Sequence, residues 1–161
     1  FRRVLFRSEA ERAINALIVP YCHAIDDDRM EEWPNFFTDG GRYTIIPHES
    51  HAKGYPVGIM NCESPGMMKD RVLAYRKANV FEPHRYRHLL GGTRIVSEES
   101  GIYTVETSYA VVRTMQDGTM SVFSAGKYRD KIVFERAIAR FAERFVLTDS
   151  NRVDTLIVIP I

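Results

Sequence analysis

Cysteine is scarce in this sequence: Cys22 and Cys62 are the only two, and neither has a neighbour at Cys-x-x-Cys spacing. That excludes a disulfide framework and leaves no paired thiols for metal or redox work. No apolar run approaches the roughly 20 residues that a membrane-spanning helix needs. The opening residues also lack the apolar core of a secretory signal, so a cytoplasmic location and no membrane partner are expected. Neither a Walker motif nor a Gly-x-Gly-x-x-Gly run is present, and no Gly-x-Ser-x-Gly elbow offers a nucleophile. An excess of one charge is missing too. Setting aside Arg2, Arg3 and Arg7 from the 22 cations leaves 19 against 21 carboxylates, a net charge of −2. Nucleic acid is therefore disfavoured as a partner.

What is present suits one globular domain. The 161 residues are 45% apolar and 27% charged, enough to bury a core without staples. Residues 1–7, Phe-Arg-Arg-Val-Leu-Phe-Arg, fit no element that follows and read as a leader foreign to the domain, which then spans 8–161. From Glu9 to Asp26, Ile14, Leu17, Ile18, Tyr21 and Ile25 recur at the spacing of one helical face. Ser8 is the expected N-cap with Glu11 as its capping-box partner, and Pro20 should kink or divide this helix. Asp26–Asp28 then read as caps of a short helix into Trp33, on a solvated surface run. A strand is expected around Arg42–Pro47, a loop over 48–63, and a helix from Ser64–Pro65 with Met68, Val72 and Tyr75 as its buried stripe.

After Pro83 the period changes from helical to alternating. Four strand-like runs follow, with Asp117–Gly118 a strong hairpin signal and Gly126 a possible bulge. Gly40–Gly41 and Gly91–Gly92 read as turn or bulge glycines. Lys127, Arg129 and Lys131 share one face of the third run. In the fourth, Phe141, Phe145 and Leu147 oppose Arg140 and Arg144. The fold class is α+β, with helices packed on one curved, mostly antiparallel sheet.

The chemistry concentrates in Glu82-Pro-His-Arg-Tyr-Arg-His-Leu-Leu-Gly91. On a strand, Arg85, Arg87 and Leu89 share one face, and His84, Tyr86, His88 and Leu90 the other. His84 and His88 are then roughly 13 Å apart by strand rise, too far to share one metal ion. A two-His-one-carboxylate site would need His48 or His51 to come round from the loop, and nothing in the spacing demands it. General acid–base chemistry stays open: Tyr21, Asp26, His88 and Tyr109 could gather in the mouth of a cone.

That same segment resembles the signature of the small (β) subunits of aromatic-ring-hydroxylating dioxygenases, in which an Arg-x-Arg-His run opens the first long strand after an amphipathic helix. Trp33-Pro-Asn-Phe-Phe-Thr38, Met67-Met-Lys-Asp-Arg-Val72, Val122-Phe-Ser-Ala-Gly-Lys-Tyr128 and Asp154-Thr-Leu-Ile-Val-Ile-Pro-Ile161 extend the likeness over about Glu9 to Ile161. It is nearest to the small subunits of terephthalate dioxygenase and salicylate 5-hydroxylase. The resemblance implies the cone-shaped fold of the ketosteroid-isomerase and nuclear-transport-factor superfamily. It further implies a non-catalytic subunit without cofactor, acting with a large (α) subunit that holds a Rieske 2Fe–2S cluster and a mononuclear iron. Self-association as a trimer inside an α3β3 hexamer goes with it. On this reading Arg85, Tyr86, Arg87 and His88 are subunit-interface candidates, Arg for its planar multi-donor fork and Tyr for area with a polar tip. Leu156, Ile159 and Ile161 join them, because a tail this apolar is expected to pack between subunits or on a sheet edge. The alternatives are a stand-alone isomerase or dehydratase using Tyr21, Asp26, His88 or Tyr109, and a small-molecule binding module.

Overall fold

The computed structural model of the chain describes residues 6–56, 58–77, 82–152, 157 and 159–161. Helix α1 (Arg7–Asp26) buries Ile14, Leu17, Ile18, Tyr21 and Ile25, the face that its periodicity predicts. It starts earlier than Ser8. The Phe6 N–H donates to the Glu9 carboxylate at 3.2 Å, while Glu11 accepts from Arg7 Nε at 3.1 Å. Glu9 lies three residues past Phe6 and can reach back to an orphan donor, which moves the cap two positions from where Ser8 would set it. Pro20 does not divide the helix: it sits on the exposed side, where its missing N–H leaves no buried acceptor unsatisfied.

Asp28, at φ +59, turns the chain out of α1. A 3-10 helix (Met30–Phe36) then seats Trp33 in the core, and β1 follows (Phe37–Pro47). The stretch 48–63, expected as a loop, holds two short elements, α2 (His48–Ala52) and β2 (Met60–Cys62). Both are too short for any period to show. Helix α3 (Pro65–Lys77) opens as expected, with Ser64 Oγ accepting from the Met67 N–H, and buries Met68 and Val72. The exposed Arg76 ties α3 to the start of the 3-10 helix through Asp28 and Glu31. Residues 80 and 81, just before the arginine-rich motif, lie outside the described residues.

Strands β3 (His84–Glu99), β4 (Ile102–Met115), β5 (Met120–Glu135) and β6 (Ile138–Thr148) complete one six-stranded sheet in the order β2-β1-β6-β5-β4-β3. All pairings are antiparallel except β1 with β6. The Asp117–Gly118 turn closes β4 onto β5, with the Met115 N–H donating to Thr119 O and Gly118 at φ +88. Bulges bend the sheet at Gly91–Gly92, at Phe123 and at Ala142, where the cross-strand register skips. Gly126 is not among them: it pairs in register with Tyr109 and Thr148, and is needed for close approach instead.

Ala142 changes which residues face inward. An unbroken strand would put Phe141 and Arg144 on opposite faces, but the extra residue brings both onto the inner one, where both are fully buried. The expectation that Arg144 stands with Arg140 on the polar face is thereby corrected. Ile157, Ile159 and Ile161 are buried against the core of their own chain, and Leu156 lies outside the described residues. The apolar side chains of the three isoleucines are buried inside the curved sheet.

Candidate functional site

The interior enclosed by the sheet, α1 and the 3-10 helix carries two buried polar pairs. The first joins α1 to β3. Asp26 Oδ2 accepts from the His88 backbone N–H at 2.8 Å, and Oδ1 lies 2.5 Å from His88 Nδ1. Both side chains are almost wholly enclosed, at 3% and 0% exposure. A carboxylate that accepts from Nδ1 places a proton on that nitrogen. No hydrogen-bond partner for Nε2 is found among the described residues. Asp26 is therefore no helix cap: as the last residue of α1 it turns into the interior and holds the main chain of the facing strand.

The second pair was not foreseen. Arg144 Nε and Nη2 donate to Asp130 Oδ1 and Oδ2, both at 2.8 Å, with both side chains fully buried. The guanidinium lies against three rings, Tyr128 at 3.9 Å, Phe141 at 4.2 Å and Tyr21 at 4.3 Å. Aromatic faces and a bidentate carboxylate together compensate a charge that would otherwise be too costly to bury. Burial works against the Arg144 charge, but Asp130 more than offsets it and holds the guanidinium above its ordinary value. For Asp130, burial pushes the carboxyl up while Arg144 pulls it back down. A signal was available: Tyr128, Asp130 and Ile132 alternate on one face, so a carboxylate among core residues called for a buried cation.

Aromatic and aliphatic side chains fill the space around these pairs. Trp33 meets Tyr43 edge-on at 5.1 Å, Tyr21 meets Phe141 edge-on at 5.5 Å, and Tyr109 stacks on Tyr128 at 4.5 Å. The chain end is drawn into the same layer. Tyr21 and Tyr43 hydroxyls donate to Ile161 O at 3.1 and 2.9 Å, and the Ile161 N–H donates to Tyr43 Oη at 2.8 Å. Burial raises the Tyr21 and Tyr43 phenols well above their usual value, and pushes the Cys22 thiol up to about 12. None of the three supplies an anion near neutral pH.

Of the four acid–base candidates, the fold brings only Asp26 and His88 into a pair. Tyr21 is engaged by the tail and Arg144, and the Tyr109 hydroxyl is bonded to Ser124 Oγ at 2.9 Å. A cleft of about 420 Å3 opens near Arg113, Phe123, Thr148 and Arg152, and none of those four candidates lines it. The interface candidates separate by face. Tyr86 and His88 are buried inside the chain, Tyr86 stacked on Phe123 at 5.1 Å. Ile159 and Ile161 belong to the same interior. Arg85 and Arg87 stand exposed on the outer face. Among the described residues, no group of three His, Cys, Asp or Glu side chains is placed to hold a metal ion, and the site fits neither a mononuclear iron nor a cluster.

The SnoaL-like domain family matches residues 7–145. The small subunit of anthranilate 1,2-dioxygenase from Burkholderia cepacia is 40% identical over 141 residues, which cover 88% of each chain. The terminal oxygenase component subunit β1 of terephthalate 1,2-dioxygenase from Comamonas sp. is 38% identical over 151 residues, 94% of this chain and 98% of that one. A crystal structure from Novosphingobium aromaticivorans, assigned as the β subunit of an aromatic-ring-hydroxylating dioxygenase, superposes with a TM-score of 0.85 at 36% identity. The match covers 93% of this chain and 95% of that one.

Proposed function

The chain belongs to the SnoaL-like family and, within it, to the small (β) subunits of aromatic-ring dioxygenases, and from that premise we propose that it is a structural rather than a catalytic part of its oxygenase. Its partner is a large (α) subunit carrying the Rieske cluster and the mononuclear iron, and the assembly is α3β3 in the cytoplasm. The substrate is an aromatic acid, the class to which anthranilate and terephthalate in the relatives' names belong. One observation carries the reading. Among the described residues, Tyr21, Trp33, Tyr43, Tyr128, Phe141 and the Arg144–Asp130 pair, all fully buried, pack the interior beside the Asp26–His88 pair.

A second reading, a stand-alone isomerase or dehydratase, rests on the Asp26–His88 pair, whose Nδ1–H contact is the geometry of an oriented general base. It requires the interior to open, because both side chains are almost wholly enclosed. Reconstitution separates the two. The purified chain alone should turn over neither anthranilate nor terephthalate. Adding the cognate large subunit, a reductase and NADH should yield a cis-dihydrodiol or a phenol. Turnover by the chain alone, or its recovery from its host without an iron-containing partner, would sink the structural reading.

A further inference from the structure

On the outer face of the sheet, cross-strand register places three rows side by side: Arg85–Thr114–Met120, Arg87–Val112–Val122 and Leu89–Ala110–Ala125. Residues paired across strands point to the same side, so these rows form one continuous surface. It is apolar and open. Met120 is 67% exposed, Val122 69% and Leu89 55%, and the two arginines on its margin are also exposed. Single exposed apolar residues are ordinary, but a contiguous patch of them rimmed by charge marks an interaction site.

The electrostatics of that face differ from end to end. Farther along, Arg94 and Lys127 share Glu106, and Arg42 and Lys131 share Glu143. Arg85 and Arg87 have no carboxylate within ion-pair distance among the described residues. β3 is also the edge strand of the sheet, so both guanidinium groups can be approached from the side as well as from above. A two-fold contact between copies of this chain would set cations against cations, because the patch carries no carboxylate of its own. The complement is a surface with apolar side chains and at least two carboxylates.

We infer that the Arg85–Arg87–Val122 face is where the large subunit docks, through an acidic segment with apolar anchors; this rests on the proposed function above. The arginine forks take the carboxylates, while Leu89, Met120 and Val122 take the anchors. The face is separate from the buried pairs, so altering it leaves the interior intact.

The test is capture of the cognate large subunit by the tagged full chain on co-expression. Arg85→Glu with Arg87→Glu, and separately Val122→Asp, should each weaken capture at least about tenfold. The chain alone should keep its oligomeric state and its melting temperature. Arg129→Glu, on the same outer face beside Phe145, should leave capture within about twofold. Undiminished capture by both patch variants would overturn the assignment, as would an equal loss with Arg129→Glu. A changed oligomeric state of the chain alone would also overturn it, making the patch a contact between copies. Wild-type chain that captures no large subunit would instead overturn the functional reading, and this inference with it.

Discussion

Arg144→Met should destabilise the fold by about 3–5 kcal/mol, the range for breaking a buried ion pair from one side. The loss is not that of one hydrogen bond. Asp130 would remain fully buried with two acceptors emptied at once, and Tyr21, Tyr128 and Phe141 would lose the cation between them. The pH dependence is diagnostic. With Arg144 gone, burial alone acts on Asp130, and its folded-state pKa rises further above the unfolded value. A raised carboxyl costs stability above its folded pKa, and that cost is relieved as pH falls through it. The gap between wild type and variant should therefore narrow from about pH 7 to about pH 5. Adding Asp130→Leu should recover most of the loss, since an apolar pair of similar volume replaces a buried ion pair at small cost. Urea denaturation of the three proteins at both pH values checks this. A loss under about 1 kcal/mol, or a gap that widens on acidification, would contradict the buried pair.

Gly126→Ala should be nearly as severe, about 3 kcal/mol or more, the upper end of the overpacking range. A Cβ on Gly126 would lie 2.0 Å from Leu147 O and 3.1 Å from Thr148 Cα, both main-chain atoms of the neighbouring strand. β5 and β6 are interior strands, so neither can move aside without parting the sheet. Gly92 provides the control, because a Cβ there meets nothing within 4 Å. Thermal melts should separate the two variants by about 6–12 °C. Equal melting temperatures would show that the sheet is not closed as tightly at Gly126 as its register requires.

The sequence was legible where a period runs long enough. The buried stripe of α1, the alternation along β4, the Ser64 cap and the Asp117–Gly118 turn are all realised. So is the division of the arginine motif, with Tyr86 and His88 inward and Arg85 and Arg87 outward. What stayed hidden depends on non-local geometry. One bulge at Ala142 reversed the facing of Arg144, and no local pattern announces such an insertion. Asp26 resembled a cap because its partner lies 62 residues away. The apolar tail invited a neighbouring subunit, whereas Tyr43, 118 residues upstream, holds its last residue inside the chain. Charge complementarity and burial, unlike period, must be read in three dimensions.

The claim that this chain supports an oxygenase without sharing in its chemistry is tested most directly at the buried dyad. Asp26→Asn and His88→Gln can each be assembled with wild-type large subunit and assayed for product per bound iron. The account predicts turnover within about twofold of the wild-type complex, with only the yield of assembled complex reduced. A fall of about a hundredfold or more per iron, the scale set by general acid–base catalysis, would contradict it and make His88 a participant in the reaction.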